Sequence, residues 1–286
     1  MGFMKKKILS IIEYSLIILG VIILCYPFVS SYFSQKQQMA VVQTYRKTSS
    51  HLDSSVVAKQ KQLAESYNNS LSVAEIHDPY VPGSGIQIPD NYYSVLNVYG
   101  KVMGDIMIPK IKVSLPIYHG VNDDDLAKGA GHLKETALPI GGCGNHSVLC
   151  AHRGLPTAKL FTDLDKLNKG DKFYINILNE RHTYIVDDIS VVEPGDTTKL
   201  HPVKGKDYIT LLTCTPYGIN SHRLLVRGIR GQDEKITDDK VYKNITSETT
   251  LGVPLKICAI IIAIIVIAVC IFVVIMNKKK KLHKYK

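Results

Sequence analysis

The spacing of apolar positions changes three times along these 286 residues, and each regime predicts a different kind of element. Across 8–30 nearly every position is apolar, Glu13 and a few hydroxyls apart, and 257–276 is uncharged throughout. About 20 consecutive apolar residues cross a bilayer as a helix, so both stretches have the length of membrane spans. Between 31 and 75 the apolar positions thin out: Met39, Val42, Leu52, Val56 and Leu63 are scattered among Gln, Lys, Ser and Ala. That pattern predicts a helical stalk rather than a core. The segment His77-Asp78-Pro79-Tyr80-Val81-Pro82-Gly83-Ser84-Gly85 ends any helix, because proline lacks an N–H and restricts the residue before it.

From 86 to 232 short β-type runs alternate with Gly, Pro and Asp turns. Runs at 104–109, 113–118, 147–152, 172–177, 182–186, 189–193, 208–213 and 223–229 make about eight strands. This predicts a mainly β domain closed as a barrel or stacked as a sandwich, long enough to bury one sizeable core. Short helices are expected at 124–128 and 158–164.

Charge fixes the topology this pattern implies. Lys5, Lys6 and Lys7 precede the first apolar stretch, and six lysines follow the second within 278–286. These clusters carry nine of the positive charges in a chain of net charge +10, so the region between the spans is near neutral and no nucleic-acid partner is implied. The positive-inside bias puts both termini in the cytoplasm and 31–252 outside. A cleaved signal peptide is the alternative for the first stretch, with Val29-Ser30-Ser31 as its small-residue site.

Cys25, Cys258 and Cys270 lie in the spans, whereas Cys143, Cys150 and Cys214 lie outside, where disulfides can form. Three is odd, so at least one outer thiol is unpaired in a monomer. Cys143 and Cys150 are close enough to pair across a turn, or both are small apolar packers.

One outer thiol has a suggestive neighbour. In Tyr208-Ile209-Thr210-Leu211-Leu212-Thr213-Cys214-Thr215-Pro216-Tyr217-Gly218, followed by Arg223-Leu224-Leu225-Val226-Arg227, two runs flank a polar turn. If they pair as antiparallel neighbours, Cys214 lies beside the permanent cation of Arg223, which favours a reactive thiolate. A buried structural cysteine and a surface arginine is the alternative. A nucleophilic thiol needs a base, and His152, ending a strand run before the Arg153-Gly154-Leu155-Pro156 turn, is well placed. His222 is the local rival, but it alternates to the opposite face from Arg223. Cys150 shares a face with His152, yet its apolar mid-strand setting would raise a thiol pKa.

Thr210-Leu211-Leu212-Thr213-Cys214 with Arg223 nine residues on resembles the sortase signature. Gly104-Asp105-Ile106-Met107-Ile108-Pro109, Gly129-Ala130-Gly131-His132-Leu133, Leu138-Pro139-Ile140-Gly141-Gly142 and His152-Arg153-Gly154-Leu155-Pro156 narrow the resemblance to class C, pilin-polymerising sortases. It covers about 75–231. The resemblance implies an eight-stranded sortase-type β-barrel and a transpeptidase of the Gram-positive cell membrane. Such an enzyme cleaves an LPXTG-like sorting signal between Thr and Gly through a thioacyl-enzyme and joins the product to a pilin lysine amine. It implies Cys214 as nucleophile, His152 as acid/base and Arg223 as oxyanion stabiliser. The partners it implies are pilin subunits bearing the signal, the acceptor lysine and the membrane, with no cofactor and no metal.

Asp78-Pro79-Tyr80 resembles the class C lid, whose aspartate pairs with the arginine while an aromatic ring covers the cysteine. Family members commonly carry Trp or Phe at the ring position; this chain has Tyr80 and no Trp. A plain linker turn is the alternative. The expected organisation is therefore a first span or signal peptide at 1–30, a stalk at 31–75, a lid at 76–85 and the barrel at 86–232. A linker at 233–252, a second span at 253–277 and a basic tail at 278–286 complete it. Asp123-Asp124-Asp125 is read as a helix start in preference to a calcium site. Three function classes stay open: a pilin transpeptidase, a thiol protease, acyl hydrolase or wall-anchoring sortase, and a non-enzymatic pilus-assembly scaffold.

Overall fold

The computed structural model describes residues 2–71, 76–80, 91–233 and 263. The expected second span, the basic tail, the second half of the lid and all of the linker but Asp233 lie outside the described residues, Ala263 apart. The chain divides into two compact units, and Phe33–Ser247 is the one that carries the β-structure. Eight strands close a barrel: β1 Val102–Ile108, β2 Val113–His119, β3 Ala130–His132, β4 His146–Cys150, β5 Lys172–Ile177, β6 Glu180–Val192, β7 Tyr208–Thr215 and β8 His222–Arg230. Their order around the wall is β1-β2-β3-β4-β7-β8-β6-β5. The β2–β3 and β4–β7 pairs are parallel and the others antiparallel.

The expected number of strands is found, but with a different membership. The runs at 182–186 and 189–193 are one strand, β6, whose register against β8 shifts between Val186 and Asp188. The bulge breaks the alternation that makes a single strand legible. The eighth strand is instead β3, three residues around Gly131. A Cβ there would meet the Gly120 carbonyl oxygen at 2.3 Å, so only glycine lets the chain pass. Of the expected short helices, α3 spans Asp123–Leu126, with the Asn122 side chain accepting the Asp125 N–H at 3.0 Å as its cap. No helix forms at 158–164, where Leu160 takes a left-handed φ of 41°; a short 3-10 turn, Leu164–Lys166, follows.

Among the described residues, two helices precede the barrel. Helix α1 runs Gly2–Ser50 and contains Pro27, and its stretch from Ile12 is long and apolar enough to cross a membrane, with a mean hydropathy of 2.2. Helix α2 is Ser54–Ser70. The described residues of 31–75 are helical as expected, 51–53 and 71 apart, but their reading as stalk rather than core is corrected. Ala64 and Tyr67 belong to the main hydrophobic cluster, and Tyr45 is buried with its hydroxyl donating to the Met103 carbonyl at 2.9 Å. The Asn68 side chain both donates to and accepts from the Leu138 backbone. Buried positions here are small or amphipathic, which is why hydropathy alone misses them.

The β4–β7–β8 wall has two apolar faces. Leu149, Ala151, Ile209, Leu211, Leu224 and Val226 join the main core. The alternate residues Val148, Cys150, Leu212 and Leu225 form a second cluster, against which Ile76 and Tyr80 pack. Cys143 and Cys150 are both free thiols, Cys143 exposed and Cys150 buried.

A buried charge adds to the docking of α1. Asp105 on β1 is fully buried and accepts from Arg46 Nε at 2.7 Å, Arg46 Nη2 at 2.5 Å and Asn176 Nδ2 at 2.9 Å. Arg46→Ala strands that carboxylate and should lower stability by ~3 kcal/mol, read as a fall in the urea midpoint. Adding Asp105→Asn to the variant should restore most of the loss. An unchanged midpoint in the single variant would mean that the pair contributes nothing.

Candidate active site

Strand registers bring the predicted residues together. Cys214 on β7 is the direct antiparallel partner of Arg223 on β8. On the other side of β7, Cys150 of β4 pairs with Leu212 in parallel. Continuing that register by two residues puts His152 level with Cys214. Alternation places Cys214, Arg223 and His152 on the same face as Leu212, Leu225 and Cys150, the outer cluster rather than the barrel interior. His222 points elsewhere, toward Glu193 with Nε2 to Oε1 at 3.2 Å.

Residues 76–80 cover this face. Asp78 and Arg223 are both buried, and Arg223 Nε donates to Asp78 Oδ2 at 2.8 Å and to Oδ1 at 3.1 Å. Nη1 of the same guanidinium donates to the carbonyls of Asn220 and His222, each at 3.2 Å. The segment braces itself through the Tyr80 N–H, which donates to Asp78 Oδ1 at 2.9 Å. The Tyr80 ring lies 5.2 Å under the Arg223 guanidinium carbon and 5.9 Å from the His152 ring, within cation–π and ring-contact range. Its hydroxyl donates to the Ala151 carbonyl at 2.8 Å, so the polar end of this tyrosine is satisfied.

The electrostatics differ from the sequence expectation of a thiolate held by Arg223. Burial pushes the Cys214 thiol above its ordinary range; Arg223 pulls it down, and the Asp78 carboxylate pushes it up again. Desolvation wins because the guanidinium is engaged by Asp78. Burial also holds the His152 imidazole below its ordinary pKa, partly offset by Asp123. Burial thus favours the neutral forms of both the Cys214 thiol and the His152 imidazole. Cys150 is fully buried and its thiol is driven well up, first by burial and then by Asp78.

Three polar neighbours escaped the sequence reading. Thr213 Oγ1 donates to the Ala151 carbonyl at 2.7 Å, and Arg153 Nη1 donates to Thr215 Oγ1 at 3.0 Å. The signal that could have found them is positional: each adjoins His152 or Cys214 in the chain.

The sign of the Asp78 effect makes a test. With its charge removed, the Cys214 pKa falls, so the pH midpoint of alkylation moves down. Asp78→Asn should raise the alkylation rate at neutral pH several-fold by enlarging the thiolate fraction. Mass spectrometry of the Cys214 peptide against pH separates this from Cys143 labelling. A rate increase with no shift in midpoint would mean that only access had changed.

Known proteins fit this geometry. Residues 106–230 match the sortase domain family model. Sortase A of Bacillus anthracis is 30% identical over 230 residues, covering 78% of this chain and 95% of that protein. Among solved structures, sortase C-1 of Actinomyces oris is 47% identical with a TM-score of 0.60, covering 63% of this chain and 99% of that one. A pilus-related sortase C of group B Streptococcus is 45% identical with a TM-score of 0.62, covering 67% of this chain and 97% of that one. With a barrel, a thiol and an arginine arranged as above, and with relatives of that extent, this chain belongs to the sortase family of cysteine transpeptidases.

Proposed function

We propose that this protein is a pilin-polymerising, class C sortase, with Cys214 as nucleophile, His152 as acid/base and Arg223 as the electrostatic stabiliser. The observation that carries the reading is the Cys214–Arg223 pair across β7 and β8, with the Arg223 guanidinium held by Asp78 and faced by Tyr80. Asp78 and Tyr80 act as a lid that must leave before substrate enters. Once Asp78 departs, Arg223 is free to interact with the reacting groups.

The chemistry then runs as two matched halves. The Cys214 thiol passes its proton to His152 as sulfur attacks the carbonyl carbon between Thr and Gly of an LPXTG-like signal. Negative charge gathers on the carbonyl oxygen, where the permanently charged Arg223 stabilises it. The C–N bond breaks as His152 returns the proton to the leaving glycine amine, leaving a thioacyl-enzyme. A pilin lysine amine gives a proton to His152 and attacks the thioester, and the Cys214 sulfur leaves and is reprotonated. A neutral imidazole at rest suits this sequence, because His152 must accept before it donates. The reading places the catalytic unit outside the cell, anchored by α1 and by a second span at 253–277, with both termini cytoplasmic.

The test mixes the full-length protein in detergent with candidate pilins and seeks a lysine isopeptide link by mass spectrometry. A Thr-to-lysine link is expected with the native chain and none with Cys214→Ala. Links formed equally by Cys214→Ala would reduce the protein to a scaffold; hydrolysed signals without links would make it a thiol hydrolase. Substituting both Asp78 and Tyr80 with Ala should speed thiol labelling of Cys214, and an unchanged rate would remove the lid from the proposal.

A further inference from the structure

The β4–β7 ladder stops at Cys150 and Leu212, so His152 and Cys214 both lie just beyond its end. The last backbone bond between the two chains is Ala151 N–H to the Leu212 carbonyl at 3.2 Å. Past that point side chains take over the pairing. Thr213 Oγ1 donates to the Ala151 carbonyl at 2.7 Å, and Arg153 Nη1 donates to Thr215 Oγ1 at 3.0 Å. These rungs join 151 to 213 and 153 to 215. They bracket the 152–214 pair on both sides.

Arg153 makes the outer rung, and its position is not that of a solvated surface cation. Its side chain is 8% exposed, and Nη2 donates to Asp165 Oδ2 at 2.6 Å. Asp165 lies in the 3-10 turn Leu164–Lys166. Just before that turn, the Phe161 N–H donates to the His152 carbonyl at 3.1 Å. One guanidinium thus ties together the chain after His152, the chain after Cys214 and the turn that holds the His152 backbone. A planar fork can serve two acceptors in a fixed relation, which a lysine ammonium cannot.

We propose that Arg153 is a positioning residue for the transpeptidation: through Thr215 and Asp165 it sets the separation of His152 from Cys214. The inference rests on the reading that these two exchange a proton. It touches neither reacting atom. Proton transfer between them needs hydrogen-bond reach, and a misplacement of about 1 Å lowers rate by up to about 100-fold.

The test measures cleavage of a quenched Leu-Pro-Glu-Thr-Gly peptide by the full-length chain in detergent. Arg153→Ala and Thr215→Val, the latter a near-isosteric loss of the acceptor, should each lower kcat about 10- to 100-fold. KM should stay within about twofold, because the peptide's binding contacts are left in place. The double variant should be no slower than the slower single, since both remove one rung. Arg153→Lys should recover part of the rate. The pH profile of kcat/KM should also shift on the limb carried by His152. Wild-type rates in both variants, losses that multiply, or a raised KM at unchanged kcat would each overturn the proposal. Cys214→Ala runs alongside: activity retained there defeats the nucleophile assignment, whereas wild-type rates in the Arg153 and Thr215 variants beside an inactive Cys214→Ala defeat only the positioning role.

Discussion

Everything at the site depends on the register of β7, the strand that has a parallel neighbour on one side and an antiparallel one on the other. Through β8 it meets Arg223 opposite Cys214, and through β4 it meets Cys150 opposite Leu212, a register that extended by two residues sets His152 level with the same cysteine. A slip of one residue would turn every side chain of β7 to the other face, putting Cys214 where Thr213 now lies. The slip is opposed on both faces at once. Ile209 and Leu211 fill the interior while Leu212 joins Cys150 and Leu225 outside, so neither face tolerates the exchange. Two packed surfaces hold Cys214 at the end of the strand.

Given that register, the chemistry of the resting site is a competition for one guanidinium. Arg223 can face the thiol or the lid carboxylate, and its Nε is spent on both oxygens of Asp78. A buried cation with a bidentate anion is a nearly neutral object, so it does little to offset the desolvation of Cys214. The same pair therefore fixes residues 76–80 over the site and leaves the thiol without the full pull of the cation. Removing Asp78 alone leaves a buried arginine without its carboxylate, which carries a penalty of its own.

What was legible in the sequence was whatever depends on alternation and chain proximity. The Cys214–Arg223 pairing follows from two β-type runs around a Pro-Gly turn, and the strand-end position of His152 follows from the turn after it. The barrel count was legible only in part. The bulge between Val186 and Asp188 made one strand look like two, and Gly131 hid another in a stretch with no side-chain pattern. The helices before the barrel read as a stalk because the residues they bury, such as Ala64, Tyr67 and Asn68, are small or polar. The thiolate expectation failed for a different reason. Adjacency of Cys214 and Arg223 is local, while the carboxylate that neutralises the arginine comes from 145 residues away in the chain.

Tyr80 adds a second, independent fastening. Its hydroxyl donates to the Ala151 carbonyl, which already accepts Thr213 Oγ1, and one carbonyl oxygen has lone pairs for both. The Tyr80 bond thus completes the coordination of an acceptor that belongs to the scaffold of the site. A phenylalanine could cover the sulfur but could not make this bond. Residues 76–80 are consequently held by two contacts of different character, the Asp78–Arg223 ion pair and the neutral Tyr80 hydroxyl bond. The carboxylate and the phenol thus fasten the 76–80 segment at two different places, Arg223 on β8 and the Ala151 carbonyl just past β4.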